Sequence, residues 1–354
     1  MRFPQLCPMQ DPSDLGQARR MATALCKALG FDEVAGAEVL LVVAELGTNL
    51  LKHTAGAGGE LVFAPLEQAG GWGLDILALD AGPGIPPLTP FFSEPHEDSS
   101  ARSKYLGPGL GVGLGAVRRL STEFDCYSQL GQGTVVFSRR WQQPPAPSRL
   151  GRVLVGAVCL PMPGQTQCGD AWAMQVGSEA TLLMLADGLG HGPNAAQAGN
   201  LAVCLFKQYA PSRPEALLNQ IHCHLHPQAA AVAVVELSLA HRRLTYAGLG
   251  NIAGRLLCGD ASLGLVSHPG SAGFAAVSMQ PFSYDWPVED GLLILHSDGL
   301  DSHWSLTNYP GLAAKHPAAI AGVLYRDHRK PQDDCSVLVA KVVAGQTAVA
   351  EVTL

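Results

Sequence analysis

Acidic residues recur in the second half of the chain at the ends of apolar runs. The stretch "QTQCGDAW" supplies Asp170, "LLMLADGLGHG" supplies Asp187, "LLILHSDGLDSHW" supplies Asp298, and "KPQDDCSVLVAK" supplies Asp333 and Asp334. An isolated ionised carboxylate at the mouth of a buried strand is costly unless a backbone turn or a cation takes it up. A single Asp-Gly pair is ordinary turn chemistry. Four acidic strand exits in one domain point instead to a hard divalent cation, Mg²⁺ or Mn²⁺, held by carboxylates, a backbone carbonyl and water. Glycine after Asp187 lets the Gly188 carbonyl turn inward as a further ligand.

The first half carries a different set. In "VVAELGTNLLKHT", Glu45 and Asn49 are four apart and share one helix face, where a carboxylate and an amide can present a water and a Mg²⁺ to nucleotide phosphates. In "LDILALDAGPGIPP" a strand runs into Asp80, able to accept from an adenine amino group, and Gly82 and Gly84 allow close approach of the base. "YLGPGLGVGLGAVRRLS" places Gly107, Gly109, Gly111, Gly113 and Gly115 before a helix as a backbone-rich anion cradle. "LGQGTVVFSRR" carries Gly133 and Thr134 into a strand. Taken singly, a glycine loop reads equally well as a flexible linker, and Glu-x-x-x-Asn is weak. The run "IHCHLHPQ", with His222, His224 and His226, ends a predicted helix, where alternate residues point apart; it reads as caps and surface contacts rather than a metal site.

These residues need elements to position them. At 354 residues the chain is long for one core and comfortable for two. The joint is "RRWQQPPAPSRLGR", residues 139 to 152, where prolines break all periodicity. Before it, "LGQARRMATALCKALG" and "EVAGAEVLLVVAELGTNLLKHT" have helical spacing, and "GELVFAP", "GWGLDILALD" and "GTVVFSRR" read as strands. After it come many short strands with helical patterns at about 194 to 209, 214 to 225 and 311 to 325, a sheet-rich domain faced by helices. The chain is 47% hydrophobic and 15% charged, with 40 glycines, which makes it folded and loop-rich. A formal net charge of −7 disfavours nucleic acid and anionic membrane as main partners. Nine scattered cysteines without Cys-x-x-Cys predict reduced thiols rather than a disulfide framework or structural zinc. The start has no cationic segment followed by an apolar core, and no apolar run approaches the roughly 20 residues of a membrane helix, so the expected location is the cytoplasm.

The acidic set becomes specific when read in order. "CGDAW", "ADGLGHGPNAA", "AGLGNI", "HSDGL" and "QDDCSVLVAK" follow the pattern of the SpoIIE-type and RsbX-type metal-dependent protein Ser/Thr phosphatases, which residues 151 to 342 resemble. That resemblance implies a four-layer α-β-β-α sandwich with two Mn²⁺ or Mg²⁺ ions at one edge. Asp187 would bridge both ions, Gly188 would offer its carbonyl, and Asp170, Asp298 and Asp333 would complete the sites; Asp334 falls where the family is less strict. A metal pair of this kind lowers the pKa of a bridging water and clamps the phosphoryl oxygens of a phosphoserine or phosphothreonine. His191 would protonate the leaving alkoxide or fix its loop by hydrogen bonding. The basic residue that larger relatives place at the start of the domain for substrate phosphate has no obvious counterpart.

The ordered set in the first half, over about residues 10 to 140, resembles the Bergerat-fold ATP-binding domains of histidine kinases, gyrase, Hsp90 and the anti-sigma-factor serine kinases. With no phosphoacceptor helix, the RsbT and RsbW branch is the nearest likeness, and "GLGVGLGAVRRLS" resembles the RsbT lid. By resemblance the fold is a two-layer α/β sandwich. Asn49 would hold the Mg²⁺ of ATP, Glu45 would be the candidate base for the acceptor hydroxyl, and Asp80 would bind adenine. Gly82, Gly84, Gly109, Gly111, Gly113, Gly133 and Thr134 would complete the nucleotide site. The expected organisation is therefore α+β, with an ATP-binding domain over 1–140, a linker over 141–152 and a phosphatase domain over 153–345. The resemblance implies a bifunctional bacterial regulator acting on a small phosphorylated STAS-type partner; the alternative is a first domain that senses ATP or captures a partner and gates the phosphatase without transferring phosphate.

Overall fold

The structure is a computed structural model that describes residues 3–68, 70–85, 110–144, 152–177, 179–259, 261–276, 279–286 and 291–343. The chain clusters into two compact units, Met1–Pro144 with His303–His328, and Pro145–Ser302 with Arg329–Leu354.

In the first unit, helix α1 (Pro12–Leu29) starts at a capping box. The Asp11 carboxylate accepts from Ser13 N–H at 2.9 Å and the Asp14 carboxylate from Asp11 N–H at 2.8 Å, with Pro12 at the first turn. Gly30, at φ 76°, ends it. Helix α2 (Glu33–His53) is capped by Asp32, whose carboxylate accepts from Ala35 N–H at 2.7 Å. It is the one described helix long and apolar enough, by length and composition, to cross a membrane. Here its residues Val39, Val42, Val43, Leu46 and Leu50 lie in the core.

Strands β1 (Gln5–Met9), β2 (Gly59–Gln68), β3 (Gly71–Asp80), β4 (Glu123–Gln129) and β5 (Gly133–Trp141) form one antiparallel sheet ordered β1-β2-β3-β5-β4. One face packs on α1, α2 and α3 (Leu110–Leu120) through Leu25, Val43, Leu46, Leu61, Phe63, Leu74, Ile76, Leu114 and Val117. Each large apolar side chain buried there contributes about 1.5–3 kcal/mol.

One expectation needs correction. The sequence pattern puts Gly111, Gly113 and Gly115 before a helix, but α3 begins at Leu110 and contains them. The reason is packing: Leu114 and Val117 bury against the sheet core, and Gly113 lets α3 approach α2, because a Cβ there would stand 2.7 Å from Glu45 Oε2. Gly107 and Gly109 lie outside the described residues.

The second unit is a sandwich of two five-stranded antiparallel sheets. Its strands are β6 (Arg152–Leu160), β7 (Asp170–Val176), β8 (Ala180–Gly188), β9 (Ala230–Ser238), β10 (Arg243–Leu249), β11 (Ala253–Cys258), β12 (Ala261–Leu265), the short pair β13 (Gly270–Ser271) and β14 (Ala275–Ala276), β15 (Phe282–Asp285), β16 (Gly291–His296) and β17 (Cys335–Val343). The sheets run β15-β10-β9-β8-β7 and β12-β11-β16-β17-β6. Alternation sorts the side chains. Leu183, Leu185, Ala233 and Val235 point between the sheets, meeting Val153, Val155, Leu293, Leu295, Leu338 and Ala340. Leu182, Met184, Val232 and Val234 point outward, where helices α4 (Pro193–Tyr209) and α5 (Pro214–Leu225) cover them with Leu205, Phe206, Leu217 and Ile221.

The α+β class and the two sandwiches are those the sequence predicts, with one feature it does not express. The segment His303–His328, inside the span of the second sandwich, packs with the first unit. Two 3₁₀ turns, Leu306–Asn308 and Leu312–Ala314, precede helix α6 (Pro317–His328), which lies against β3, β4 and β5. A Cβ at Gly322 would meet Leu77 at 2.9 Å and Val135 at 3.0 Å. The helix starts at Pro317, later than the predicted 311, because proline fits a first turn and the residues before it take the tighter 3₁₀ form.

Candidate metal centre and nucleotide pocket

The carboxylates meet because the sandwich brings four strand ends to one edge. Asp170 opens β7 and Asp187 lies opposite it near the end of β8, as register partners. Each carboxyl group bears on the charge of the other. Asp298 follows β16, and Asp333 and Asp334 precede β17, the neighbouring strand. Burial, then the charges of Asp298, Asp333 and Asp334, push Asp187 up to about 7. Burial and the Asp187 charge raise Asp170 well above the ordinary carboxylate range. Asp333 is raised chiefly by burial, with Asp298 and Asp334 adding to it. Like charges at this spacing hold protons unless a cation replaces them.

Polar neighbours orient the set. Ser297, fully buried, donates from Oγ to Asp170 Oδ2 at 2.6 Å and accepts from Ser336 N–H at 3.0 Å. Asn251 Nδ2 donates to Asp298 Oδ2 at 2.7 Å. Asp334 is committed elsewhere: Oδ1 accepts from Met162 N–H at 2.8 Å and Oδ2 from Gly169 N–H at 2.7 Å. It ties the approach to β7 in place. Gly188 N–H donates to Gly169 O at 3.2 Å, while Gly169 N–H turns to Asp334. Glycine is required at 188 by close approach rather than by φ, because a Cβ would collide with the Ala195 carbonyl on the first turn of α4. His191 is exposed on the loop between β8 and α4.

Oxygen donors of one sign, partly desolvated and holding protons in place of a cation, fit Mg²⁺ or Mn²⁺. Among the described residues no group of three or more His, Cys, Asp or Glu side chains stands arranged to hold a metal ion. Ser297 and Asn251 are the supporting residues that sequence spacing does not reveal, although Asn251 sits in the quoted "AGLGNI". The histidine run makes local contacts: His222 Nδ1 accepts from Gly273 N–H at 3.3 Å, and His224 stacks on Tyr209.

In the first unit, a cavity of about 450 Å³, counted with its open mouth, is lined by Leu46, Asn49, Asp80, Gly84, Leu114 and Thr134 among others. Asn49 comes from α2, Asp80 from the end of β3, and Thr134 from β5, where it is the register partner of Asp80. Asp80 Oδ1 accepts from Gly82 N–H at 2.8 Å, and burial raises its pKa. Gly84 and Gly133 have φ of 72° and 89°. Glu45 is one turn before Asn49 on α2, beneath Gly113. His53 and Thr54, which motif reading passes over, complete the wall. Apolar walls from Leu46, Leu50, Ile85, Leu114 and Val136 alternate with the polar groups of Asn49, His53, Thr54, Asp80 and Thr134, a chemistry that suits a purine.

The histidine kinase-like ATPase domain matches residues 9–139, and Stage II sporulation protein E (SpoIIE) matches residues 177–343. The chain is 33% identical over 128 residues to the serine/threonine-protein kinase RsbT of Bacillus subtilis (strain 168), covering 36% of this chain and 89% of that protein. Among solved structures it is similar to a chain of the bacterial stressosome, a modular system that has been adapted to control secondary messenger signaling, with 22% identity, 54% of this chain and 100% of that one covered, and a TM-score of 0.50. It is also similar to the PP2C phosphatase domain with a fragment of the regulatory domain of SpoIIE from Bacillus subtilis, at 17% identity, 94% and 95% coverage and a TM-score of 0.48.

Proposed function

Since the chain belongs to the RsbT family of histidine kinase-like ATPase domains and joins that domain to a SpoIIE-type phosphatase domain, we propose that it removes phosphate from a phosphoserine or phosphothreonine of a small STAS-type regulator in the bacterial cytoplasm. The reading places it among anti-sigma and stress-response switches, with ATP and Mg²⁺ bound in the first domain. The observation that carries it is the acidic edge, where Asp170 and Asp187 face each other across β7 and β8 and Asp298 and Asp333 add charge.

In this reading Asp170, Asp187, Asp298, Asp333 and the Gly188 carbonyl hold two divalent ions. When bound, such a pair supplies an acidified water and neutralises the phosphoryl oxygens. Ser297 and Asn251 keep two of the carboxylates aimed, and Asp334 holds the loop before Asp170. His191, exposed beside the edge, gives its proton to the leaving serine oxygen. The test is Mn²⁺-dependent release of phosphate from a phosphorylated STAS protein, which Asp187→Ala and Asp298→Ala abolish; activity retained in both ends the proposal.

The first domain has two readings. As a kinase it uses Glu45 as base, Asn49 for Mg²⁺ and the Gly109–Gly113 segment for phosphates, transferring to a partner serine. As a sensor it binds ATP without transfer and gates the phosphatase. The sensor reading is favoured by Arg326, in the segment that runs between Asp298 and Asp333, whose guanidinium donates to the Asp80 carbonyl at 3.0 Å at the nucleotide pocket. Labelled ATP with candidate partners separates them: label transfer lost in Asn49→Ala favours the kinase, and ATP bound without transfer favours the sensor.

A further inference from the structure

Phosphate release at an acidic edge poses a charge problem. A phosphomonoester is close to a dianion at neutral pH, and the residues around Asp187 are carboxylates. The approach to β17 offers a cation. Lys330 lies just before Asp333, and its Nζ donates to the backbone carbonyl of Asp298 at 2.7 Å. Its own N–H donates to Gly299 O at 2.7 Å, and a bridge between Leu300 and Arg329 holds the same two segments together. Lys330 is exposed, so its head group is both anchored and reachable from solvent.

The arrangement separates the two ends of Asp298. Its carboxylate is turned by Asn251, and its carbonyl is taken by the Lys330 ammonium. An ammonium offers three donors, and the carbonyl uses one. Lysine is a compact point charge on a flexible stem and binds phosphate in that form. The Arg255 guanidinium at this end of the unit is drawn the other way, donating to the Ser302 carbonyl at 2.7 Å.

We propose that Lys330 binds the phosphoryl group of the substrate and of the released phosphate from the approach to the last strand. This rests on the phosphatase reading of the acidic edge. The test uses the full chain with saturating Mn²⁺ and inorganic phosphate as the probe, with binding measured by calorimetry and inhibition measured against p-nitrophenyl phosphate. Lys330→Met weakens phosphate binding about tenfold and raises KM by a similar factor, with Mn²⁺ affinity unchanged, and Lys330→Arg restores most of both. Unchanged phosphate affinity in Lys330→Met overturns the inference. So does a loss that only follows a parallel loss of Mn²⁺ affinity, which would make Lys330 a brace for the Asp298 turn. Absence of hydrolysis by the wild type defeats the phosphatase reading alone, because calorimetry still reports whether phosphate binding depends on Lys330.

Discussion

His316 donates from Nε2 to Glu123 Oε2 at 3.0 Å, while its Nδ1 accepts from Ala318 N–H at 3.1 Å. The two bonds fix the imidazole as the neutral Nε2–H form, in agreement with burial pushing its pKa down. The ring stacks on Phe137 with centroids 4.2 Å apart. Beside it, Arg139 pairs with Asp75 at 2.5 and 2.7 Å, and Lys315 reaches Asp125 at 3.0 Å. This polar cluster receives the inserted segment on β4 and β5, so acid should loosen it.

Burial alone would raise Glu123, but the His316 hydrogen bond, the Arg139 charge and the Trp141 indole bring it down to about 2. A carboxylate lowered on folding contributes stability above its unfolded pKa of about 4.5 and loses it as pH falls toward 2. His316, lowered from about 6.5, acts in the same direction, since the folded state resists the proton that the unfolded chain accepts below that pH. The expected acid loss through Glu123 is on the order of 3 kcal/mol. Thermal melts from pH 7 to pH 3 should decline less steeply in Glu123→Gln than in the wild type; parallel curves contradict this account.

The acidic edge makes the opposite demand on the metal-free protein. Asp187, raised to about 7, binds a proton in the folded state that the unfolded chain has already lost above about pH 4. Stability without metal therefore falls as pH rises from about 4 to about 7. Asp187→Asn should raise the melting temperature at pH 8 in chelator, by on the order of 2 kcal/mol of stability, and remove the rise that Mn²⁺ gives the wild type. A variant that is less stable in chelator and still responds to Mn²⁺ would exclude Asp187 as a ligand.

Asn251 touches no ion in this scheme and acts by aiming Asp298. Loss of such a supporting hydrogen bond weakens metal affinity by about 10 to 100-fold. Mn²⁺ titration of Asn251→Ala should show that loss with the fold intact by circular dichroism, and Asn251→Asp should not rescue it, because it adds like charge beside Asp298.

At the nucleotide pocket, Asp80→Ala removes the acceptor proposed for adenine and should weaken ATP binding by about 10-fold or more, a hydrogen bond to a charged group being worth roughly 1.5–3 kcal/mol. Gly113→Val should weaken it as well by pressing on Glu45. Both are read with a fluorescent ATP analogue. Phosphatase activity measured without nucleotide should be unchanged in Asp80→Ala.

Much of this was legible before any coordinates. The helical spacing of "LGQARRMATALCKALG" and "EVAGAEVLLVVAELGTNLLKHT" marks α1 and α2, while the caps at Asp11 and Asp32 and the two faces of β8 and β9 come from the structure. Asp170, Asp187, Asp298 and Asp333 stood out because a carboxylate ending an apolar run needs a physical reason. Ser297 and Asn251 did not, since a hydroxyl or an amide near a turn has many uses and its partner lies far along the chain. The lid glycines misled for a related reason: glycine signals freedom locally, and only α2 beside α3 shows that Gly113 serves close packing inside a helix.

The sequence by itself determined the two sandwiches, the acidic strand exits and the Asn49, Asp80 and Thr134 positions that line the pocket of the first unit, because periodicity and turn chemistry act over a few residues. The tertiary structure alone decided that Asp334 serves the loop before Asp170, that Lys330 grips the Asp298 carbonyl, and that His303–His328 leaves one unit to complete the other. Those outcomes depend on which surfaces bury each other and which distant donors find each acceptor, and no short-range pattern encodes that choice.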